Sequence, residues 1–246
     1  MRFKRMFMRY LHMLVLALLF FGAKTYGNHH PVLQVRTIAI SPYGIELTNQ
    51  KSGIYYDLIN LLLKKANFES EHYIYPYARI IHELEIGKTD LTIMFKYKEL
   101  EPFVEYIYPL PTLKNIVIGR KGQNFTSIES LHGMSIGYLR GAKFSDEIDN
   151  NSSIDKQTIT DINQGVTMLS LHRVDAIIGP AAPIFSAAKE LKLADDFFGE
   201  PLIVSERTPW LQMSKKSQHM ATSQQLKTIF SQMMSQGELE KIQENY

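Results

Sequence analysis

The chain has 246 residues, 45% of them hydrophobic and 21% charged, with a formal net charge of +2 and no cysteine. The lack of cysteine excludes a disulfide framework, cysteine nucleophiles, thiolate metal sites and a lipid-modified cysteine. Five of the 27 Lys and Arg residues, and none of the 25 acidic ones, fall in residues 1–27. The rest therefore carries 22 basic against 25 acidic groups; with no Lys/Arg cluster after Lys24, nucleic acid is not an expected partner.

The start reads as an export signal. Arg2, Lys4, Arg5 and Arg9 precede an apolar run over residues 11–22, which is short for a span of about 20 residues, and Thr25, Tyr26 and Gly27 offer small groups at the −3 and −1 positions. Cleavage is expected after Gly27, with a single uncleaved anchor as the other reading. The remaining residues are enough to build a core without staples.

Residues 33–40 alternate apolar and polar and end at Ser41, Pro42, Tyr43 and Gly44, a strand running into a turn. Leu58, Ile59, Leu62 and Leu63 give helical spacing over residues 56–67. A strand over 71–77, a helix over 78–86 stopping at Gly87 and a strand over 91–95 follow. Alternating strands and helices predict a mostly parallel sheet.

An internal echo lies further on. Residues 84–93 align without gaps on residues 169–178 at an offset of 85, so that Asp90 matches Asp175 and Ile93 matches Ile178. Each copy is read as a helix end, a basic residue, an Asp and a buried strand, one in each of two lobes. Thr126 to Glu129 resembles a capping box, residues 134–138 a strand breaking at Arg140, Gly141 and Ala142. Leu226, Ile229, Phe230, Met233 and Met234 mark a late helix, with another after Gly237.

These segments, in this order, resemble the family 3 extracellular solute-binding proteins. The matching pieces are Gly53-Ile54-Tyr55-Tyr56-Asp57-Leu58, then Leu84, Gly87, Lys88 and Asp90 before a strand, then Val104-Glu105-Tyr106-Ile107-Tyr108-Pro109. They continue with Ser130-Leu131-His132-Gly133-Met134-Ser135-Ile136-Gly137, Arg173-Val174-Asp175-Ala176-Ile177-Ile178 and the terminal Gly237, Glu238, Leu239, Ile242 and Tyr246. The resemblance implies an α/β, two-lobed periplasmic-binding-protein type II (Venus flytrap) fold, each lobe a mixed, mostly parallel sheet flanked by helices. One lobe would be discontinuous, residues 28–113 with 205–246, and the other, 114–204, inserted. It further implies a monomer in the periplasm that takes a small-molecule solute between its lobes and serves an inner-membrane ABC permease, without a cofactor and without catalysis.

In the family's amino-acid binders an Arg a few residues before a Val-x-Phe-Ser segment grips the ligand carboxylate, the bidentate geometry suiting that residue. Here that stretch is Lys98-Glu99-Leu100-Glu101-Pro102, and the acid expected after the later strand falls at Gly179-Pro180. The resemblance therefore implies a receptor outside the α-amino-acid class. It suggests Tyr77 and Arg79, at the start of the second helix, with Arg79 holding an anion beside free backbone N–H groups or instead serving a salt bridge within its lobe. It also suggests Arg140 and Gly141 at the turn of the inserted lobe, and Tyr43 as a ring packed on the solute. Tyr55 and Phe95 are read as cleft-lining or as lobe core, and Asp57, Asp90 and Asp175 as residues that fix local structure.

Nine of the 13 tyrosines lie between Tyr43 and Tyr108, which suits ligands with ring or apolar faces as well as an ordinary core. Two other readings stay open. One is a dehydratase-like enzyme on the same fold with Glu83, Glu101 or Glu105 as its acid; the other is a ligand-sensing partner of a membrane protein. The histidines after residue 27, His29, His30, His72, His82, His132, His172 and His219, show no metal-ligand spacing.

Overall fold

A computed structural model describes residues 32–48 and 50–246. The export signal over residues 1–27 lies outside the described residues. Among those residues, no helix is long and apolar enough to cross a membrane.

The elements run in the order β1 (Leu33–Ile38), β2 (Ile45–Leu47), β3 (Gln50–Ser52), α1 (Ile54–Ala66), β4 (Ser70–Tyr75), α2 (Tyr77–Ile86), β5 (Leu91–Phe95), β6 (Val104–Pro109) and β7 (Leu113–Gly119). They continue with β8 (Ser135–Leu139), α3 (Asp146–Asp149), β9 (Asp155–Ile159), α4 (Ile162–Ser170), β10 (Ala176–Pro180), α5 (Ala181–Glu190), β11 (Leu202–Arg207), β12 (Pro209–Ser214), α6 (Ser223–Ser235) and α7 (Glu238–Gln243). The capping-box segment yields a 3-10 turn, Glu129–Leu131.

Two five-stranded sheets result, in the orders β4-β1-β5-β12-β6 and β11-β7-β10-β8-β9. In the first, β1 pairs parallel with β4 and β5, whereas β12 runs antiparallel to β5 and β6. The second repeats this balance: β8 is parallel to β9 and β10, and β7 is antiparallel to β10 and β11. The parallel pairs are those joined through helices, as a right-handed crossover requires. The antiparallel pairs are made by the strands flanking the passage from one sheet to the other. Both sheets are therefore mixed, with parallel and antiparallel pairings in equal number.

The central strands β5 and β10 are buried along their whole length, which is why both read as continuous apolar runs where the outer strands alternate. On the first sheet, α1 buries Ile54, Tyr55, Leu58, Ile59, Leu62, Leu63 and Ala66 and packs on α6 and α7. On the second, α4 packs against α5 and β10.

The echo is a repeated structural device. Gly87 ends α2 at φ 79 and His172, its match, follows α4 at φ 59, both in the left-handed region where a helix ends and turns back. Three residues later each Asp binds the parallel strand next to its own in the sheet. Asp90 Oδ2 accepts from Gln34 N at 2.7 Å while Asp90 N donates to Gln34 O at 2.7 Å. Asp175 does the same with Ser135, each bond 2.8 Å long. Both carboxylates thus fix where a central strand starts beside its neighbour.

The chain passes between sheets twice, after β6 and again between β11 and β12, and the two crossings lie side by side. Thr112 and Thr208 share a hydroxyl hydrogen bond of 2.7 Å, and Leu110 N donates to Pro209 O at 2.8 Å.

Candidate functional site

The C-terminal ends of β1, β5, β8 and β10 point toward one another, bringing Ile38, Phe95, Leu139 and Pro180 to a common cavity. This is the place where parallel α/β sheets leave a crevice for ligands, because the loops beyond the strand ends diverge. Its further lining is Ile40, Tyr43, Tyr55, Tyr77 and Met94 from the first half and Leu113, Phe144, Pro183 and Pro209 from the second and the crossings. The halves pack closely, leaving about 30 Å³ between them, room for one or two water-sized groups.

The turn after β1 and the start of α1 build the aromatic wall together. Tyr43 N donates to Ile40 O at 2.8 Å, and Ile54 N and Tyr55 N donate back to Pro42 O and Tyr43 O at 2.9 and 3.0 Å. Gly53 makes this approach possible: at φ +125, a Cβ there would lie 2.5 Å from Tyr43 O. The Tyr43 and Tyr55 rings stack with centroids 4.3 Å apart and planes 15° apart. From the far end of the chain, Tyr246 Oη accepts from Gly53 N at 2.7 Å and donates to Asp57 Oδ2 at 2.5 Å, holding the first turn of α1 in place.

Tyr77 enters from the first residue of α2, just after Pro76, and meets Tyr97 edge to face at 6.3 Å. Both rings are buried, and the Tyr77 hydroxyl lacks a hydrogen-bond partner among the described residues. Phe144 comes from the loop before α3, its carbonyl accepting from Ser205 Oγ and from Arg207 Nε. Burial governs the phenols. It pushes Tyr43 up to about 12, with the adjacent Tyr55 hydroxyl pulling slightly the other way, and holds Tyr55 and Tyr97 well above their ordinary value. All three are neutral at any physiological pH.

Four of the seven sequence-predicted site residues, Tyr43, Tyr55, Tyr77 and Phe95, are brought together in the cavity lining. The two arginines are not. Arg79 turns along α2, where Nε donates to Glu83 Oε1 at 2.9 Å and the guanidinium lies 3.5 Å from the Tyr75 ring centre; this is the lobe-internal salt bridge. Arg140 is exposed and has no ion pair among the described residues. Gly141 serves packing: its φ is +77, and a Cβ would meet Ala78 Cβ of α2, across from its own sheet, at 3.2 Å. The backbone N–H groups on either side of Gly141 are used internally, Arg140 N on Ile159 O and Ala142 N on Leu139 O.

Among the described residues, no charged side chain lines the cavity. Where amino-acid binders place an acid, Pro180 caps α5 and contributes to the apolar wall. The Lys98–Leu100 stretch is a 3-10 turn outside the lining. Bringing an α-carboxylate and an α-ammonium into such a wall would leave each unpaired, at several kcal/mol per ion.

The three glutamates of the enzyme reading lie elsewhere. Burial alone would push the Glu83 carboxyl up, but hydrogen bonds from Arg79, Thr89 and Arg36 outweigh it and hold the group below its ordinary value. Glu101 faces Lys96 at 3.9 Å and Glu105 is exposed on β6. No group of three or more His, Asp or Glu side chains that could hold a metal occurs among the described residues.

The profile of the bacterial extracellular solute-binding proteins, family 3, matches residues 35–246. The chain belongs to this family. No curated protein matches it. Among solved structures, this family 3 member is similar to an ancestral arginine-binding protein bound to arginine, with a TM-score of 0.74 and 21% identity over 87% of this chain and 97% of that one. It is also similar to the GluR0 ligand-binding core from Nostoc punctiforme in complex with L-glutamate, at 0.73 and 18% over 87% and 98%. A histidine kinase sensor domain with similarity to periplasmic binding proteins gives 0.76 and 12% over 88% and 96%. At these identities the likeness is one of fold, the type II periplasmic-binding-protein architecture.

The sequence did not single out Leu139, Phe144, Pro180 or Pro183 as wall residues. Pro180 carried a usable signal, since it stands where an acid would complete an ammonium site. Phe144 carried none, because it sits in a loop without periodicity.

Proposed function

We propose that this family 3 protein is an exported receptor whose two lobes, residues 28–113 with 205–246 and residues 114–204, close over a small polar or aromatic solute outside the α-amino-acid class. It acts in the periplasm as a monomer, after removal of residues 1–27, hands its solute to an inner-membrane ABC permease and performs no catalysis. The observation that carries this reading is the cavity at the meeting strand ends, with an aromatic wall of Tyr43, Tyr55, Tyr77 and Phe95 on one side and Leu139, Phe144 and Pro180 on the other. Binding rather than turnover is supported by the position of Glu83, Glu101 and Glu105, all outside that wall. The paired crossings at Thr112 and Thr208 suit a hinge between lobes.

A thermal-shift screen against amino acids, sugars, organic acids, short peptides, polyamines and ring compounds tests the proposal. A solute at about 100 times its Kd should add about 2.7 kcal/mol to stability, a rise of several degrees. Tyr43→Ala should remove most of that rise. A screen in which no class shifts the protein, or a shift that Tyr43→Ala leaves intact, would refute the receptor at this cavity.

A further inference from the structure

Resting on that receptor reading, we propose that the cavity's occupant is a compact, uncharged ring compound with a single hydrogen-bonding group, phenol-like or indole-like, which lies against the Tyr43–Tyr55 stack and takes the Tyr77 hydroxyl as its polar partner. The lining excludes other classes by what it lacks. No charged side chain reaches the cavity among the described residues, so a zwitterion, a carboxylate or an amine would enter without a counter-charge. A sugar would need a partner for each of its hydroxyls, and apart from its three tyrosines the wall is Ile, Leu, Met, Phe and Pro. The small free volume points the same way, because a flat ring needs the least separation of the two halves.

Tyr77 supplies the positive observation. Its ring lines the cavity at 5% exposure, yet its Oη has no hydrogen-bond partner among the described residues. A buried hydroxyl without a partner is costly and uncommon, and a ligand hydroxyl or ring N–H placed beside it removes the deficit. Phenols stack offset on tyrosine faces, and the near-parallel Tyr43 and Tyr55 rings present such a face.

Isothermal calorimetry on the purified protein with three matched pairs tests the class: p-cresol against toluene, p-cresol against tyramine, and indole against tryptophan. Binding of p-cresol and indole, with tyramine and tryptophan each weaker than its neutral counterpart by about tenfold or more, is the expected outcome. Toluene should bind more weakly than p-cresol in the wild type, and Tyr77→Phe should abolish that preference while leaving the melting temperature unchanged or raised. Tyramine or tryptophan binding as tightly as its neutral counterpart would overturn the class while leaving the receptor standing. A p-cresol preference that survives Tyr77→Phe would overturn the role of that hydroxyl. If none of these rings binds but a sugar, peptide or acid does, the ring class fails alone; if no solute of any class binds, the receptor reading fails with it.

Discussion

His72 shows how a single buried side chain ties stability to pH. It stands on β4 with Nε2 2.8 Å from Thr37 Oγ1, Nδ1 2.8 Å from Asn60 Oδ1, and its ring stacked on Tyr56 at 4.2 Å. Burial, with the charges of Lys51 and Arg36, pushes its pKa down to about 3. The unfolded chain takes up that proton near 6.5. Between the two values the unfolded state binds the extra proton, so the contribution is whole above pH 6.5 and drains as the pH falls toward about 3. The limiting slope is about 1.4 kcal/mol per pH unit. Urea unfolding between pH 7 and 4.5 should therefore show a falling midpoint. His72→Gln should be less stable at pH 7 but visibly flatter across that range. Equal slopes for the two proteins would assign the acid sensitivity to other groups.

Helix ends are the element-scale counterpart, because the two copies of the echo solve one problem with different residues. Gly87 and His172 occupy matched positions after α2 and α4, both with positive φ, and only the glycine does so without a Cβ penalty. Since His172 is exposed, His172→Gly should raise stability by about 0.5–1 kcal/mol. The reverse change, Gly87→His, should cost more than it returns, since a Cβ at Gly87 would lie 2.7 Å from Lys216 Cβ. Chemical denaturation of the two variants checks both signs. Elements of this kind were legible in the sequence because period and stop signal agree: Leu58, Ile59, Leu62 and Leu63 with Asn67, and Ile80 and Leu84 with Gly87, mark real helices and their ends. Tyr43, Tyr55, Tyr77 and Phe95 were reached through the family resemblance rather than through any period, and the cavity lining contains all four. The direction of Arg79 was not legible, because position on a first turn does not say which way a long side chain lies. Glu83 four residues on and Tyr75 before it decided that, a short-range competition. The far wall was illegible for a different reason: Leu139, Phe144 and Pro183 meet the first sheet only through tertiary packing, and no local pattern records it.

At the scale of the whole molecule, the two halves touch where the proposed solute would have to part them. Ser41 Oγ lies 3.2 Å from Ser186 Oγ, and Gly141 sits so near Ala78 that a Cβ there would lie a tight 3.2 Å from Ala78 Cβ. Both contacts join a residue of one sheet's loops or helices to one of the other's, so both are lost when the halves separate. Gly133 provides the matched control, since it also has positive φ, +74, but none of the described residues lies within 4 Å of where its Cβ would be. Gly133→Ala and Gly141→Ala thus share a backbone strain of about 1 kcal/mol, and only the second adds a tight contact across the cleft that the halves relieve by moving apart. Small-angle X-ray scattering should give the wild type and Gly133→Ala the same radius of gyration and Gly141→Ala a larger one. Gly141→Ala should also bind whatever solute the protein takes with lower affinity, because part of the binding free energy then goes into forcing the halves together. A radius of gyration unchanged by Gly141→Ala, together with unchanged affinity, would mean that the halves form one rigid body and that solute enters without hinge motion.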